Sequence, residues 1–210
     1  FLALASFFFV RDLSNPFPQA SMSSFFQGAT IILILLAPTL TMRLLAEEQK
    51  LGTIELLLTS PVRDWEVVLG KYIASLVFLL GTIVLTLYFV LLLIIFADPD
   101  PGPIWAGYLG LILYGAAALS IGLLTSTLTS NQIVAAVVAM GILLVLYFTD
   151  FAAATLTGLP ATIVNEIGLK SHFDDFERGV IDTKHIAYYL LLTSFFVFLS
   201  IRALESRRWR

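Results

Sequence analysis

PGPIWAGYLGLILYGAAALSIGLLTSTLTSNQIVAAVVAMGILLVLYFT, residues 101–149, is a run of 49 residues with no charged side chain, bounded by Asp100 and Asp150. As α-helix it would rise about 70 Å, more than twice the roughly 30 Å hydrocarbon core of a bilayer. It is too long for one crossing and suits two joined by a tight turn. The polar segment Thr125-Ser126-Thr127-Leu128-Thr129-Ser130-Asn131-Gln132 supplies that turn and predicts spans over 103–126 and 132–149.

Charge gaps on either side place the remaining spans. Tyr72–Ala97 holds 26 uncharged residues between Lys71 and Asp98, predicting a span over 67–97 with some tilt. No charge lies between Asp12 and Arg43, and the apolar density from Phe25 to Met42 predicts a span over 23–45. Lys184 and Arg202 bracket 17 uncharged residues, a span over 185–203 at the short end of the crossing range. The sequence opens on Phe1 inside an apolar run to Val10, about half a bilayer core if helical. Residues 1–10 are therefore expected to be the end of a truncated first span. The expectation is an all-α polytopic membrane protein, one domain over 1–210, with six transmembrane helices.

Composition agrees. Of 210 residues, 59% are hydrophobic and 13% charged, where a soluble domain carries about 25% charged residues. This argues against a soluble enzyme. The absence of cysteine excludes a disulfide scaffold, and a net charge of −3 gives no sign of nucleic-acid binding. Alternating spans put eight basic residues on one side: Arg43, Lys50, Arg63, Lys71, Arg202, Arg207, Arg208 and Arg210. The other side holds four, Arg11, Lys170, Arg178 and Lys184. The first side, with the C-terminus, is expected to be cytoplasmic. Trp209 among the terminal arginines suits a helix end at a headgroup interface.

Two segments outside the spans carry the remaining signal. On the basic side, residues 46–66 read as an elbow. Residues 43–50 extend the preceding span as an amphipathic helix, and Gly52 breaks it. Thr53–Thr59 forms a short apolar helix, with Ser60 as N-cap and Pro61 at the first position of the next helix. Leu56-Leu57-Leu58 between charged flanks either packs on the protein's own helices or fills a partner's groove.

The string Glu47-Glu48-Gln49-Lys50-Leu51-Gly52-Thr53-Ile54-Glu55-Leu56-Leu57-Leu58-Thr59-Ser60-Pro61, followed by Trp65-Glu66 and Gly70-Lys71, resembles the cytoplasmic signature of ABC-2-type permeases, the membrane subunits of a class of ATP-binding-cassette transporters. The resemblance runs along the whole chain and implies a type V exporter-like permease fold. With Ser171-His172-Phe173-Asp174-Asp175-Phe176-Glu177-Arg178-Gly179-Val180-Ile181-Asp182, it is most like the GldF-type gliding-motility-associated permeases and the copper-maturation permeases. It implies that Glu47, Glu48, Thr53, Glu55, Leu56, Leu57, Leu58, Ser60 and Pro61 form the coupling contact with an ATPase subunit. It further implies a second permease subunit, identical or not, in a prokaryotic cytoplasmic membrane, and an auxiliary membrane protein with a large outer domain as a further partner. Either the pair exports a substrate or it passes ATP-driven motion to an outer partner as a non-transporting scaffold.

On the other side, residues 150–184 hold two short apolar stretches, Phe151–Leu159 and Ile163–Leu169, that suit a re-entrant helical pair. Asn165 and Glu166 are then a candidate outer gate, unless Glu166 simply stays at the interface. His172, Asp174, Asp175 and Glu177 with Phe173 and Phe176 read as an amphipathic patch at the headgroups. His172 has one histidine companion, His185, thirteen positions on, and a hydration role is expected rather than a metal site.

No catalytic constellation emerges. The serines within spans, Ser75, Ser120, Ser194 and Ser200, have no histidine at membrane depth, and no span has an interior carboxylate. Gly70-Lys71 is followed by Tyr72, with Trp65 where a P-loop needs Gly. ATP and Mg are therefore expected on a partner ATPase, with no cofactor on this chain. Charge-free spans disfavour an ion-driven carrier. The small residues Gly107, Gly110, Gly115, Ala116, Ala117, Ala118 and Gly122 are expected to pack helices closely.

Overall fold

The computed structural model describes residues 1–13, 21–53, 62–97, 99–155 and 157–207. Within the described residues the chain is all helical, without strands. The helices are α1 (Leu2–Leu13), α2 (Ser23–Thr41), α3 (Ala46–Leu51), α4 (Asp64–Phe96), α5 (Pro101–Leu128), α6 (Gln132–Tyr147), α7 (Thr149–Thr155), α8 (Leu159–Ile167), α9 (Leu169–Glu177) and α10 (Thr183–Arg207). Among the described residues, five stretches are long and apolar enough to cross a membrane: Ser23–Leu51, Asp64–Phe96, Pro101–Leu128, Gln132–Thr155 and Thr183–Ser206. The apolar helix over Leu2–Arg11 is shorter than a crossing.

Local chemistry sets the helix starts. Pro101 begins α5, where its missing N–H costs nothing, and Asp100 Oδ1 accepts from the Gly102 N–H at 3.0 Å. Asn131 Oδ1 accepts from the Ile133 and Val134 N–H groups at 3.0 and 3.4 Å to start α6. Glu66 Oε2 accepts from the Arg63 N–H at 3.0 Å at the start of α4. This helix begins at Asp64, with Arg63 extended before it; Ser60 and Pro61, where a helix start is expected, lie outside the described residues.

The expected turn at 125–132 also shrinks, to residues 129–131. Thr125, Ser126 and Thr127 are buried in the last turns of α5. Their polarity suggests surface, yet Thr125 Oγ1 donates to Gly122 O at 2.9 Å and Thr127 Oγ1 to Leu123 O at 2.8 Å. Hydroxyls that bond back to their own helix can be buried cheaply.

Helix α5 is the hub, packing against α2, α4, α6, α9 and α10. Its glycines allow the approach. A Cβ at Gly107 would overlap the Phe26 ring, at Gly110 the Phe176 side chain, at Gly115 Leu79 Cδ2 and at Gly122 Thr41 Oγ1. Small residues thus serve helix packing here, as the composition of this span suggests. Tyr72 Oη donates to Ala116 O at 3.0 Å and Tyr108 Oη to Thr86 O at 3.1 Å, tying α4 to α5 at two levels. Outward, α4 exposes Ile73, Val77, Val84, Tyr88, Leu91 and Ile95 at helical spacing. An apolar stripe on the outside suits contact with lipid tails.

Replacing Gly122 or Gly107 with Ala is expected to cost about 1–3 kcal/mol through overpacking. Gly141, with open space around its Cα, should instead gain up to ~1 kcal/mol of helix propensity as Gly141→Ala. Thermal unfolding of the detergent-solubilised protein measures both, and equal effects at Gly122 and Gly141 would contradict the packing described.

Candidate functional site

The elbow begins where α2 stops. Residues 42–45 form a turn between α2 and α3, so the expected extension over 43–50 is a separate short helix. A helix start releases backbone N–H groups that need partners. Here the Leu45 and Ala46 N–H groups both donate to Ser126 Oγ, each at 3.1 Å. The same hydroxyl donates to Met42 O at 3.2 Å. Gln49 Nε2 adds bonds to Thr127 O at 2.8 Å and Ser126 O at 3.4 Å. The end of α5 thus supplies the cap for α3. Leu45 and Ala46 are fully buried there.

Helix α3 ends at Gly52, whose φ of 71° is the left-handed conformation that favours glycine; its N–H donates to Gln49 O at 3.3 Å. Lys71 Nζ on α4 pairs with Glu48 Oε1 at 2.6 Å. Both side chains are about three-quarters covered, at 24% and 30% exposure, so this pair is better shielded than an ordinary surface ion pair. It ties the two ends of the elbow together.

Of the coupling residues proposed from sequence, the structure describes Glu47, half-buried on α3; Glu48, in the pair with Lys71; and Thr53, exposed, its Oγ1 donating to Glu48 O at 3.3 Å. Glu55, Leu56, Leu57, Leu58, Ser60 and Pro61 lie outside the described residues, as do Arg208, Trp209 and Arg210. Leu51, Val62 and Trp65 are exposed apolar residues on the flanks. Sequence reasoning missed Ser126, reading it as a turn. The available signal was a Ser-Thr cluster at the end of an otherwise apolar helix.

At the opposite end of the bundle, α8 and α9 break at Gly168. Three consecutive carbonyls there accept from side chains. Tyr188 Oη donates to Ile167 O at 2.6 Å, His172 Nδ1 faces Gly168 O at 2.9 Å, and Tyr189 Oη donates to Leu169 O at 2.7 Å. Ser171 Oγ also lies 2.7 Å from Asn165 O and 3.0 Å from Gly168 O. Asn165 and Glu166 are exposed, and Glu166 pairs with Lys184 at 2.7 Å. That ammonium holds the Glu166 carboxyl below its usual range, with a smaller opposing effect of burial.

The amphipathic segment 171–182 is placed differently from the expectation of a headgroup patch. His172, Phe173 and Phe176 are buried, with Phe176 against Gly110 of α5. The hydration role expected for His172 is corrected: 3% exposed, it stacks on Tyr188 with centroids 3.8 Å apart. Periodicity gave α9 an apolar face, but the glycine opposite it decided what covers that face. Burial pushes His172 below the ordinary imidazole range and pushes Asp174 and Glu177 above the ordinary carboxylate range. Among the described residues, no group of three or more His, Asp or Glu is placed to hold a metal ion.

Ser126→Ala removes the acceptor shared by two buried N–H groups, at an expected cost of about 1–3 kcal/mol. Hydrogen exchange should quicken at Leu45, Ala46 and along α3 while α4 and α6 keep their protection. Unchanged exchange at Leu45 and Ala46 would contradict the cap.

Known proteins are similar to this sequence. The model of a family described as "ABC-2 family transporter protein" matches residues 9–200. The "Probable multidrug ABC transporter permease YbhR" of Escherichia coli strain K12 is 30% identical over 87 residues, 41% of this chain and 23% of that protein. The protein of the same name from Escherichia coli O157:H7 matches to the same extent. The match thus spans less than a quarter of the length of these curated relatives. The family match runs from α1 through most of α10 and takes in the elbow, the hub helix and the broken helices at the far end, and the chain belongs to the ABC-2 family of transporter proteins.

Proposed function

We propose that this chain is the membrane-spanning permease subunit of an ATP-binding-cassette transporter. It couples ATP hydrolysis on a separate subunit, which holds the ATP and Mg, to export or movement of a substrate. The observation that carries this reading is the anchored elbow. A short helix sits between two crossings, capped by α5 through Ser126 and tied to α4 through Glu48–Lys71. A push on such a segment reaches two long helices at once, which is what coupling to an ATPase needs. The family match supports it.

In this reading Glu47, Glu48, Thr53, Glu55, Leu56, Leu57, Leu58, Ser60 and Pro61 contact the ATPase, and residues 46–66 face the cytoplasm with the C-terminus. The excess of basic residues on that side supports the orientation and a cytoplasmic, or inner, membrane. Two permease subunits pair. Residues 150–184 face outward, with α7 and α8 as the re-entrant pair and Asn165 and Glu166 as the outer gate. The segment from Ser171 to Asp182 supports the GldF-like subgroup by resemblance. Similarity to probable multidrug permeases supports transport of a substrate over a purely force-transmitting role.

Leu57→Asp should abolish co-purification with the ATP-binding-cassette subunit expected beside its gene, while membrane insertion stays intact. Glu55→Lys should weaken it in the same assay. Retained co-purification of Leu57→Asp removes the elbow from the coupling contact.

A further inference from the structure

Both histidines of the chain lie in one cluster at the end of the bundle opposite the elbow, with ring centroids 5.0 Å apart and rings nearly perpendicular. They come from different helices, His172 from α9 and His185 from the first turn of α10. Both are buried. Each imidazole is engaged on one nitrogen and open on the other. His172 Nδ1 faces Gly168 O, a pure acceptor, so that nitrogen carries the proton of the neutral ring. Its Nε2 lies 3.9 Å from Glu166 Oε2, beyond hydrogen-bond reach. His185 Nε2 meets Asp175 Oδ2 at 2.7 Å, while His185 Nδ1 is buried with no hydrogen-bond partner among the described residues.

A second proton therefore has a poor place on each ring. On His185 it lands on the unpartnered nitrogen. On His172 it points towards Glu166, which Lys184 already engages at 2.7 Å. With both rings charged, the cluster would hold three cations, His172, His185 and Lys184, against two carboxylates, Glu166 and Asp175. Asp182, whose backbone carbonyl accepts from the His185 N–H at 3.1 Å, has its carboxylate engaged by the Lys184 N–H at 2.9 Å as the cap of α10. Tyr188 and Tyr189 of α10 are neutral phenols whose hydroxyls donate to Ile167 O and Leu169 O. Asp174 and Lys170 on α9 engage a different set of groups, Asp150 of α7 and Tyr147 of α6. Glu177 bonds Gln27 of α2 at 3.0 Å, and Tyr114 of α5 meets the rings of Phe173 and Tyr189.

We propose that His172 and His185 form a proton-sensitive clasp that holds α8 and α9 against the first turns of α10, closed while at least one imidazole is neutral and opened when both are charged. Charge on one of two imidazoles in contact makes charge on the other harder to add. Burial holds His172 below its ordinary value of 6.5. A base with a depressed folded-state pKa stabilises packing above its unfolded value and loses that contribution as pH falls through the folded one. The clasp is accordingly intact at neutral pH and opens on the acid side of the ordinary imidazole range. If residues 150–184 face outward, external acidity controls the outer end of the bundle, whatever the substrate.

The chain is cysteine-free and has two histidines, so both readouts are unambiguous. Spin labels at Thr162→Cys on α8 and Leu191→Cys on α10, diluted with unlabelled protein in nanodiscs, report their separation. The expected result is one narrow distance distribution at about pH 8 and a longer or broader one at about pH 5. His172→Gln combined with His185→Gln should abolish that change. Should this variant fold poorly, histidine-selective NMR of the unsubstituted protein gives the second test. Two separated titration steps are expected, and the distance change should follow the lower one. A distance distribution that does not change between the two pH values, a change that persists in the double glutamine variant, or two histidines titrating independently would overturn the proposal.

Discussion

Helix α5 is enclosed by neighbours on all sides, and the rest of the bundle depends on how closely they approach it. Between apolar helices in lipid there is little hydrophobic gain from association, so close packing and hydrogen bonds must hold them. Gly107, Gly110, Gly115 and Gly122 remove the side chains that would hold Phe26, Phe176, Leu79 and Thr41 away. Those contacts belong to α2, α9 and α4, so one helix sets the position of three others. The elbow at one end and the broken helices at the other are attached to the bundle by this arrangement.

Both interruptions of helix obey the same rule. Backbone groups freed by a break cannot be left bare in a low-dielectric setting. At residues 42–45 one hydroxyl, Ser126, serves two N–H groups and one carbonyl. At Gly168 two phenols and one imidazole serve three carbonyls in a row. In each case the serving side chain sits on, or is stacked against, a crossing helix. The breaks are fixed points rather than loose joints.

The crossings were legible because charge is expensive in hydrocarbon, so gaps between charged residues mark them. The uncharged run from Pro101 to Thr149 could hardly be read otherwise. Hydroxyl-rich helix ends were less legible. Thr125-Ser126-Thr127 has the composition of a surface turn, and only the helix's own carbonyls make it a buried terminus. The histidine pair was hidden for another reason. Thirteen residues separate His172 from His185, but Gly179, with φ of 85° and Pro103 packed close by, turns the chain between α9 and α10. Sequence distance then says nothing about ring distance. The Leu56-Leu57-Leu58 segment is the clearest functional signal in the sequence, and the structure contributes the fixed flanks, Glu48 and Lys71, on either side of it.

Helix α4 has 33 residues and no proline. Its length is about 50 Å, against a hydrocarbon thickness of about 30 Å. Tyr72 and Thr86, about 21 Å apart along the helix, bind it to α5 at two levels. A stiff rod pinned at two levels cannot pivot against the helix it is pinned to, so α4 and α5 would tilt as one piece about a shared midpoint. A rotation of ~10° about that midpoint displaces each end by about 4 Å, in opposite directions. Movement at Asp64, beside the elbow, would then reach Phe96 with reversed sense while both hydrogen bonds to α5 stay in place.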